Sequence, residues 1–362
     1  MPINEEIWNP YRLIPIREEL RRETPVTDEK FTGFSGSLSC SIENLTSLFV
    51  GGNRLYRQQF YSRDGRCVIP GSSLKGMFRS LSEIIGGGCN VTDSRGQYSK
   101  RYAACNRVNA LCISCRMFGM MERGSGAKVH KGKISIGDAL IREEQIQTKA
   151  FEVLLSSCGT RHEPFYRTPG TGKIDGLSRK LYFHQPNRKD SVPVVPQNLK
   201  KRARSVNALL PGHHFDFSVD FSNLTEDELS LLVYVISLQE NVNVEIGEEA
   251  LKLNGPMRHK IGNGKPLGLG SCHIKIDKMI IYPSPADRFS SLQQTESTVL
   301  TGEDLKEWIQ AMTLSITNDT CDTMQQLRKM MVWNESDPRI FGYPDYYWFK
   351  DAKNSGKELR AI

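Results

Sequence analysis

The sequence predicts an α+β protein whose regular elements run β-α-β-β-α-β, the ferredoxin-like or RRM order. Three observations predict it. Two alternating apolar segments, "GSLSCSIENL" and "FDFSVDF", read as half-buried strands. Two segments with apolar residues on one helical face, at about 73–85 and 225–239, follow strand-like runs. The irregular, Pro/Gly-rich stretch is confined to 140–212, between the third and fourth elements.

Taken in order, Leu38, Cys40 and Ile42 alternate with serines to give the first strand, 36–43. "FYSRDGRCVIPGSS" reads as a hairpin turning at Asp64-Gly65. In the helix after it, Leu74, Met77, Phe78, Leu81, Ile84 and Ile85 share one face, and Gly86-Gly87-Gly88 stops it. "KISIGDA" gives a strand at 132–137. Phe215, Phe217, Val219 and Phe221 give one at 214–221. Thr225 and Glu228 form a capping box for the second helix, whose buried face is Leu229, Leu232, Val233 and Ile236. Cys272, Ile274 and Ile276 set the last strand, 271–281. Residues 1–33 then read as an N-terminal arm and 34–288 as the core, with insertions at 89–130 and 140–212. Residues 289–362 read as a C-terminal extension of two short helices and an aromatic tail.

With 38% hydrophobic and 25% charged residues, the composition is that of an ordinary globular chain. A formal net charge of +7 is compatible with a nucleic-acid partner. "MPINEEIWNPYRLIPIREEL" has no basic region followed by an apolar core, so no signal peptide is expected. The longest apolar run, "LSLLVYVISL", is too short to span a bilayer, and no membrane partner is expected. Nine cysteines, an odd number without secretory context, argue against a disulfide framework. The expectation is a cytoplasmic protein with reduced thiols.

Four constellations could carry chemistry. In "VIPGSSLKGMFRSLSEI", Lys75 and Arg79 stand one turn apart near the positive end of a helix. Like charges so spaced repel by a few tenths of a kcal/mol, and the helix dipole adds to that. A phosphate docked there, with Ser72, Ser73 and the first-turn N–H groups as donors, would reverse both effects. The alternative is two side chains extending into water. "HKIGNGKPLGLGS" brings His259, Lys260 and Lys265 together with Gly262, Gly264, Gly268 and Gly270. It is neither a Walker nor a Rossmann motif, and reads as a phosphate-contacting loop or a flexible hairpin loop. Cys105, Cys112 and Cys115 form C-x6-C-x2-C, a spacing suited to a structural zinc. Cys89 or His130 would be the fourth ligand. "LKKRARS", with Lys200, Lys201 and Arg202, and the nearby "GLSRKLYFHQ" mix cations with aromatic rings. They suit RNA contact or a solvated basic loop. No carboxylate pair, Ser-His-Asp set or Cys-His dyad emerges, so no catalytic residue is assigned.

In this order, "VIPGSSLKGMFRSLSEI", "LCISCRMFGMM", "GKISIGDA" and "GNGKPLGLGSCHI" resemble the RAMP superfamily of CRISPR-associated proteins. The branch they resemble is the backbone subunits that polymerise along crRNA in type III and type III-derived, type VII-like complexes. "GLSRKLYFHQ" and "NLTEDELSLLVYVISL" also resemble segments of a type III-like subfamily. The resemblance covers about 34–282. It implies a modified RRM palm with a zinc-stabilised insertion at 89–130 and a β-hairpin thumb within 140–205 that wedges between bases of the guide–target duplex. It also implies crRNA and complementary target RNA, further copies of the chain and other effector subunits as partners. Ser72, Ser73, Lys75, Arg79 and the 262–270 loop would face crRNA phosphates. RNP1 aromatics are missing, which argues against the ordinary single-strand RRM mode.

Target-cleaving backbone subunits carry an aspartate in the loop after residues like "FVGG". Here the run is "FVGGNRLYRQQF", with Asn53 and Arg54, expected to contact RNA, after the glycines. Asn53 cannot act as a base at neutral pH. The expectation is therefore an RNA-binding subunit that does not cut, served by a separate nuclease. The alternative is a RAMP endoribonuclease that cleaves target RNA at regular spacing or processes crRNA. A zinc-stabilised enzyme acting on nucleotides is a third, more distant class.

Overall fold

The computed structural model describes residues 7–18, 20–27, 29–52, 58–91, 100–155, 178–247, 251–284, 296–344 and 346–357. It is a mixed α+β fold around one curled antiparallel sheet, and each of the six expected elements is present. With two further strands, the second and fourth, the core elements are β1 (Phe34–Asn44), β2 (Arg66–Ile69), α1 (Gly71–Ile85), β3 (Ile134–Ile136), β4 (Ala139–Ile141), β5 (His214–Leu224), α2 (Glu226–Ser237) and β6 (Ser271–Ile281). "KISIGDA" and the residues after it thus supply two short strands, β3 and β4, and the Asp64-Gly65 hairpin adds β2. The hairpin turn has φ 50° at Asp64 and 78° at Gly65, as a type I′ turn demands.

The sheet runs β6–β1–β5–β4–β2, with β3 beside β4 on β5, and all these pairs are antiparallel. Leu38, Cys40 and Ile42 of β1 and Phe215, Phe217, Val219 and Phe221 of β5 point into the core under α1 and α2. Phe78 of α1 is fully buried and lies 6.4 Å from Phe217, ring to ring. The opposite face of the two central strands carries Ser37, Ser39, Ser41, Asp216, Ser218 and Asp220, which are exposed or half-buried. The strict alternation of these strands therefore leaves a polar, non-aromatic outer face.

α2 opens on the expected capping box, with the Thr225 side chain and Glu228 satisfying each other's backbone N–H groups. Glu228 is buried and also meets Lys133 at 2.9 Å and Arg116 at 3.1 Å. α1 starts at Gly71, earlier than its apolar face suggests. Gly71 is required there, because a Cβ would sit 2.2 Å from the Ile136 carbonyl oxygen of β3.

Both chain ends join the core. Trp8 and Ile14 are buried in it, and Tyr11–Pro15 pairs antiparallel with Ser178–Tyr182 of the irregular stretch. At the other end, Thr298–Thr301 pairs with β6, and α3 (Gly302–Thr317) and α4 (Asp322–Met331) follow. Leu305, Leu327, Met330 and Phe341 enter the same core. Within 140–212, Thr148–Val153 and Arg204–Leu209 form an antiparallel ribbon. It packs Phe151, Val153, Val206 and Ala208 on Phe49 in a small second cluster. A further hairpin, Val242–Ile246 with Leu251–Gly255, was not expected. Its signal is the alternation of Val242, Val244 and Ile246. No helix among the described residues is long and apolar enough to cross a membrane.

Candidate RNA-binding groove and cysteine centre

α1 presents different chemistry to its two sides. On one side Ser73, Gly76, Met77 and Ser80, at helical spacing, line a groove of about 460 Å³. Its other walls come from Lys180, Leu181 and Tyr182 and from the segment Arg258–Asn263 with Lys265. The helix and the glycine loop singled out in the sequence thus face each other across one cleft. Arg258, Gly76, Met77 and Ser80 are lining residues that sequence reasoning did not assign. A signal for Lys180 and Tyr182 was present, since "GLSRKLYFHQ" is basic and aromatic.

The glycine loop is firmly built. Gly262, Gly264, Gly268 and Gly270 have φ of 81°, 76°, 100° and 84°. A Cβ at Gly270 would lie 1.9 Å from the Ile261 carbonyl oxygen, and one at Gly262 2.4 Å from that of Phe49. Asn263 N–H donates to the Phe49 carbonyl at 2.8 Å and Gly270 N–H to that of Ser47 at 2.9 Å. These bonds and the left-handed glycines give the loop a defined shape against Ser47 and Phe49.

The cations of the groove differ in character. Lys260 donates to Ser271 Oγ at 3.2 Å, and burial together with the charge of Lys265 lowers its pKa to about 7. Arg258 makes two 3.0 Å bonds to Glu240. Lys180 lies 3.8 Å from the centroid of the Tyr11 ring, a cation–π contact. His259 lines the groove but is not the cation expected. It is buried, its Nε2 meets the Val235 carbonyl at 2.8 Å, and burial pushes its pKa down to about 4.

The other side of α1 meets the cysteines. Cys89, Cys105, Cys112 and Cys115 are all buried, with their sulfurs within 4.8 Å of one another. A tetrahedral ion with metal–sulfur distances of about 2.3 Å needs sulfurs about 3.8 Å apart; Cys89 and Cys115 stand at 3.6 Å. The N–H groups of Cys89 and Cys112 point at Cys112 Sγ (3.4 Å) and Cys105 Sγ (3.3 Å), as suits thiolates. This donor set fits a metal ion. His130 is turned elsewhere, with Nε2 at 2.9 Å from the Arg116 carbonyl, so Cys89 is the fourth member.

Lys75 and Arg79 belong to this side and not to the groove. Arg79 bonds Glu83 at 3.2 Å, the Gly119 carbonyl at 3.2 Å and Cys115 Sγ at 3.5 Å. Glu83 in turn holds Arg179 at 2.7 Å, and Arg179 reaches the Cys89 carbonyl at 3.2 Å. Lys75 donates to the Ile134 carbonyl at 2.8 Å. The physical reason is the helix start. With Gly71 as first residue, Lys75 lies beyond the first turn, and Asp138 already accepts the Gly71 N–H at 2.8 Å. Of the two serines, Ser73 lines the groove and Ser72 is exposed outside its lining. Lys200, Lys201 and Arg202 are exposed on a 3-10 turn, Gln197–Arg202, also outside the lining. Asn53 and Arg54 lie outside the described residues.

No curated protein matches the chain significantly. The family model of the RAMP superfamily matches residues 41–273, which include α1, the cysteine centre and the glycine loop. The chain therefore belongs to the RAMP superfamily, CRISPR-associated proteins with RNA-binding roles.

Proposed function

We propose that the chain is a crRNA-binding backbone subunit of a type III or type III-derived CRISPR effector, of which several copies line up on one guide RNA. The observation that carries this reading is the groove between α1 and the glycine loop. Lys180, Arg258, Lys260 and Lys265 surround it, and the small residues Ser73, Gly76 and Ser80 form its floor. Such a surface takes a phosphate backbone and reads spacing rather than sequence, leaving specificity to base pairing. Ser73, Lys260, Gly262 and Lys265 are its predicted members; Gly264, Gly268 and Gly270 hold the loop in shape.

The strand order β6–β1–β5–β3, with α1 and α2 packed on one face, supports a modified RRM palm over 34–288. The serines and aspartates on its outer face support binding in the groove and not on the sheet. The ribbon Thr148–Val153/Arg204–Leu209 is the base of the proposed thumb within 140–212. A structural zinc on Cys89, Cys105, Cys112 and Cys115 stabilises the 89–130 insertion, since thiolate donors favour zinc. Asn53 in place of an acid supports a subunit that holds guide and target without cutting, with cleavage left to a separate nuclease in the cytoplasm.

The test is purification of the chain with a guide RNA. The reading predicts RNA-bound assemblies whose protein copy number rises stepwise with guide length, and no cut in a complementary target. Cleavage at regular spacing by the purified assembly would replace it with the endoribonuclease reading.

A further inference from the structure

The C-terminal segment beyond the family match carries exposed rings. Tyr343 and Tyr347 are 38% and 63% exposed. Their segment is tied to both walls of the groove. The Tyr343 ring lies 6.2 Å from that of Tyr11, on which Lys180 sits. From the glycine-loop side, Gln185 bonds the Pro266 carbonyl at 2.9 Å, and Arg188 bonds both Gln185 and the Phe341 carbonyl at 3.0 Å. The exposed basic turn Gln197–Arg202 is fastened to the same segment, through Asn198 to the Tyr347 hydroxyl at 3.3 Å. The neighbouring acid Asp351 is turned to the Lys353 N–H at 3.0 Å.

We propose that Tyr343 and Tyr347, with Lys200, Lys201 and Arg202, form a platform for single-stranded RNA, stacking unpaired bases while the basic turn meets their phosphates. Exposed rings beside clustered cations are the combination that binds single strands without sequence preference. A protein partner would not require Lys200, Lys201 and Arg202 beside the rings; an RNA backbone does. The inference rests on the groove reading to the extent that the strand continues from it. It assigns a role to the 196–204 basic run, which the groove leaves unused.

The test uses the full chain, a fluorescein-labelled oligouridine and an RNA duplex of equal length whose bases are paired. The expected result for Tyr343→Ala/Tyr347→Ala is single-strand affinity weaker by about 5- to 30-fold, with duplex affinity changed less than about twofold. Unchanged single-strand affinity, or an equal loss on both probes, overturns the platform. So does a variant that alters only the oligomeric state, which makes the patch a protein interface. Lys180→Glu/Lys265→Glu is measured in parallel. If that variant binds like wild type while the ring variant is weakened, the groove reading fails and the platform stands; the converse result fails the platform alone. Photo-crosslinking of 4-thiouridine RNA to the unaltered chain gives a readout free of folding effects. It must label peptides within 339–350, and labelling elsewhere only would refute the assignment.

Discussion

The two sides of α1 differ in what they ask of charge. Toward the cysteines, Arg79, Glu83 and Arg179 form a half-buried ionic ladder that ends on Cys115 Sγ and the Cys89 carbonyl. Toward the groove, the helix offers the uncharged Ser73, Gly76, Met77, Ser80 and Leu81, and the cations come from Lys180 and the 258–265 segment. The difference teaches that cations on a helix can serve architecture while its small residues serve the ligand. It also couples the two regions, because Arg179, clamped to the cysteine side, is the strand neighbour of groove-lining Lys180.

The largest effect is expected on the cysteine side. Chelation, or Cys112→Ser, should remove a metal whose binding contributes on the order of 10 kcal/mol to folding of the lobe. Hydrogen exchange across 100–118 should then rise to that of an unfolded segment, and metal analysis should find the ion in the native protein only. Unchanged exchange after chelation would show four packed thiols and no metal centre. Through Arg179, RNA affinity should fall as well, but by less than when the groove itself is altered.

Lys180→Glu/Lys265→Glu comes next. RNA affinity should drop about 10- to 100-fold at moderate salt, and the slope of log K against log salt should shrink by about 1.4, two contacts at about 0.7 each for a single strand. A uniform loss with an unchanged slope would mean misfolding rather than lost phosphate contact.

A smaller effect follows from Lys260. Its pKa falls from the ordinary lysine value to about 7 on folding. Between those values the unfolded chain holds more protons, so this group's contribution to stability grows as pH rises through that window. RNA binding should run the opposite way, weakening as pH rises through 7 and Lys260 becomes neutral. His259, already neutral above about 4, does not titrate there. Lys260→Arg should flatten the binding profile, because a guanidinium stays charged. A profile unchanged in the variant would assign the pH dependence to another group.

The smallest effect is at Gly76. A Cβ there meets nothing within 4 Å. Gly76→Ala should therefore raise stability by about 0.5–1 kcal/mol in denaturant unfolding. Gly76→Trp, which fills the groove, should keep the fold and weaken RNA binding. Loss of stability in Gly76→Ala would contradict the open floor.

Much of this was legible in the residues. The strands of β1 and β5 follow from strict alternation, α2 from its capping box, and the cysteine centre from C-x6-C-x2-C with Cys89. These signals are local, and burial only amplifies them. The contacts of Lys75 and Arg79 are not legible in the sequence, because they depend on where α1 begins and on what lies beside it. Asp138, 67 residues from Gly71 in sequence, accepts the first N–H of α1. One local clue was available: Glu83 stands at i+4 from Arg79, the spacing of a helical ion pair. The pairing of Tyr11–Pro15 with Ser178–Tyr182 had no local signal, since long-range strand partners are set by the whole fold. That pairing brings Lys180 and Tyr182 into the groove wall.

The most direct test of the central claim compares the two sides of α1 in one RNA-binding titration. Lys180→Glu/Lys265→Glu should weaken guide RNA binding by about 10-fold or more, while Lys75→Gln, which removes a charge outside the groove, should change it by less than about twofold. The reverse pattern, with Lys75→Gln crippled and the groove variant intact, would contradict the account and return the RNA to the cysteine side of the helix.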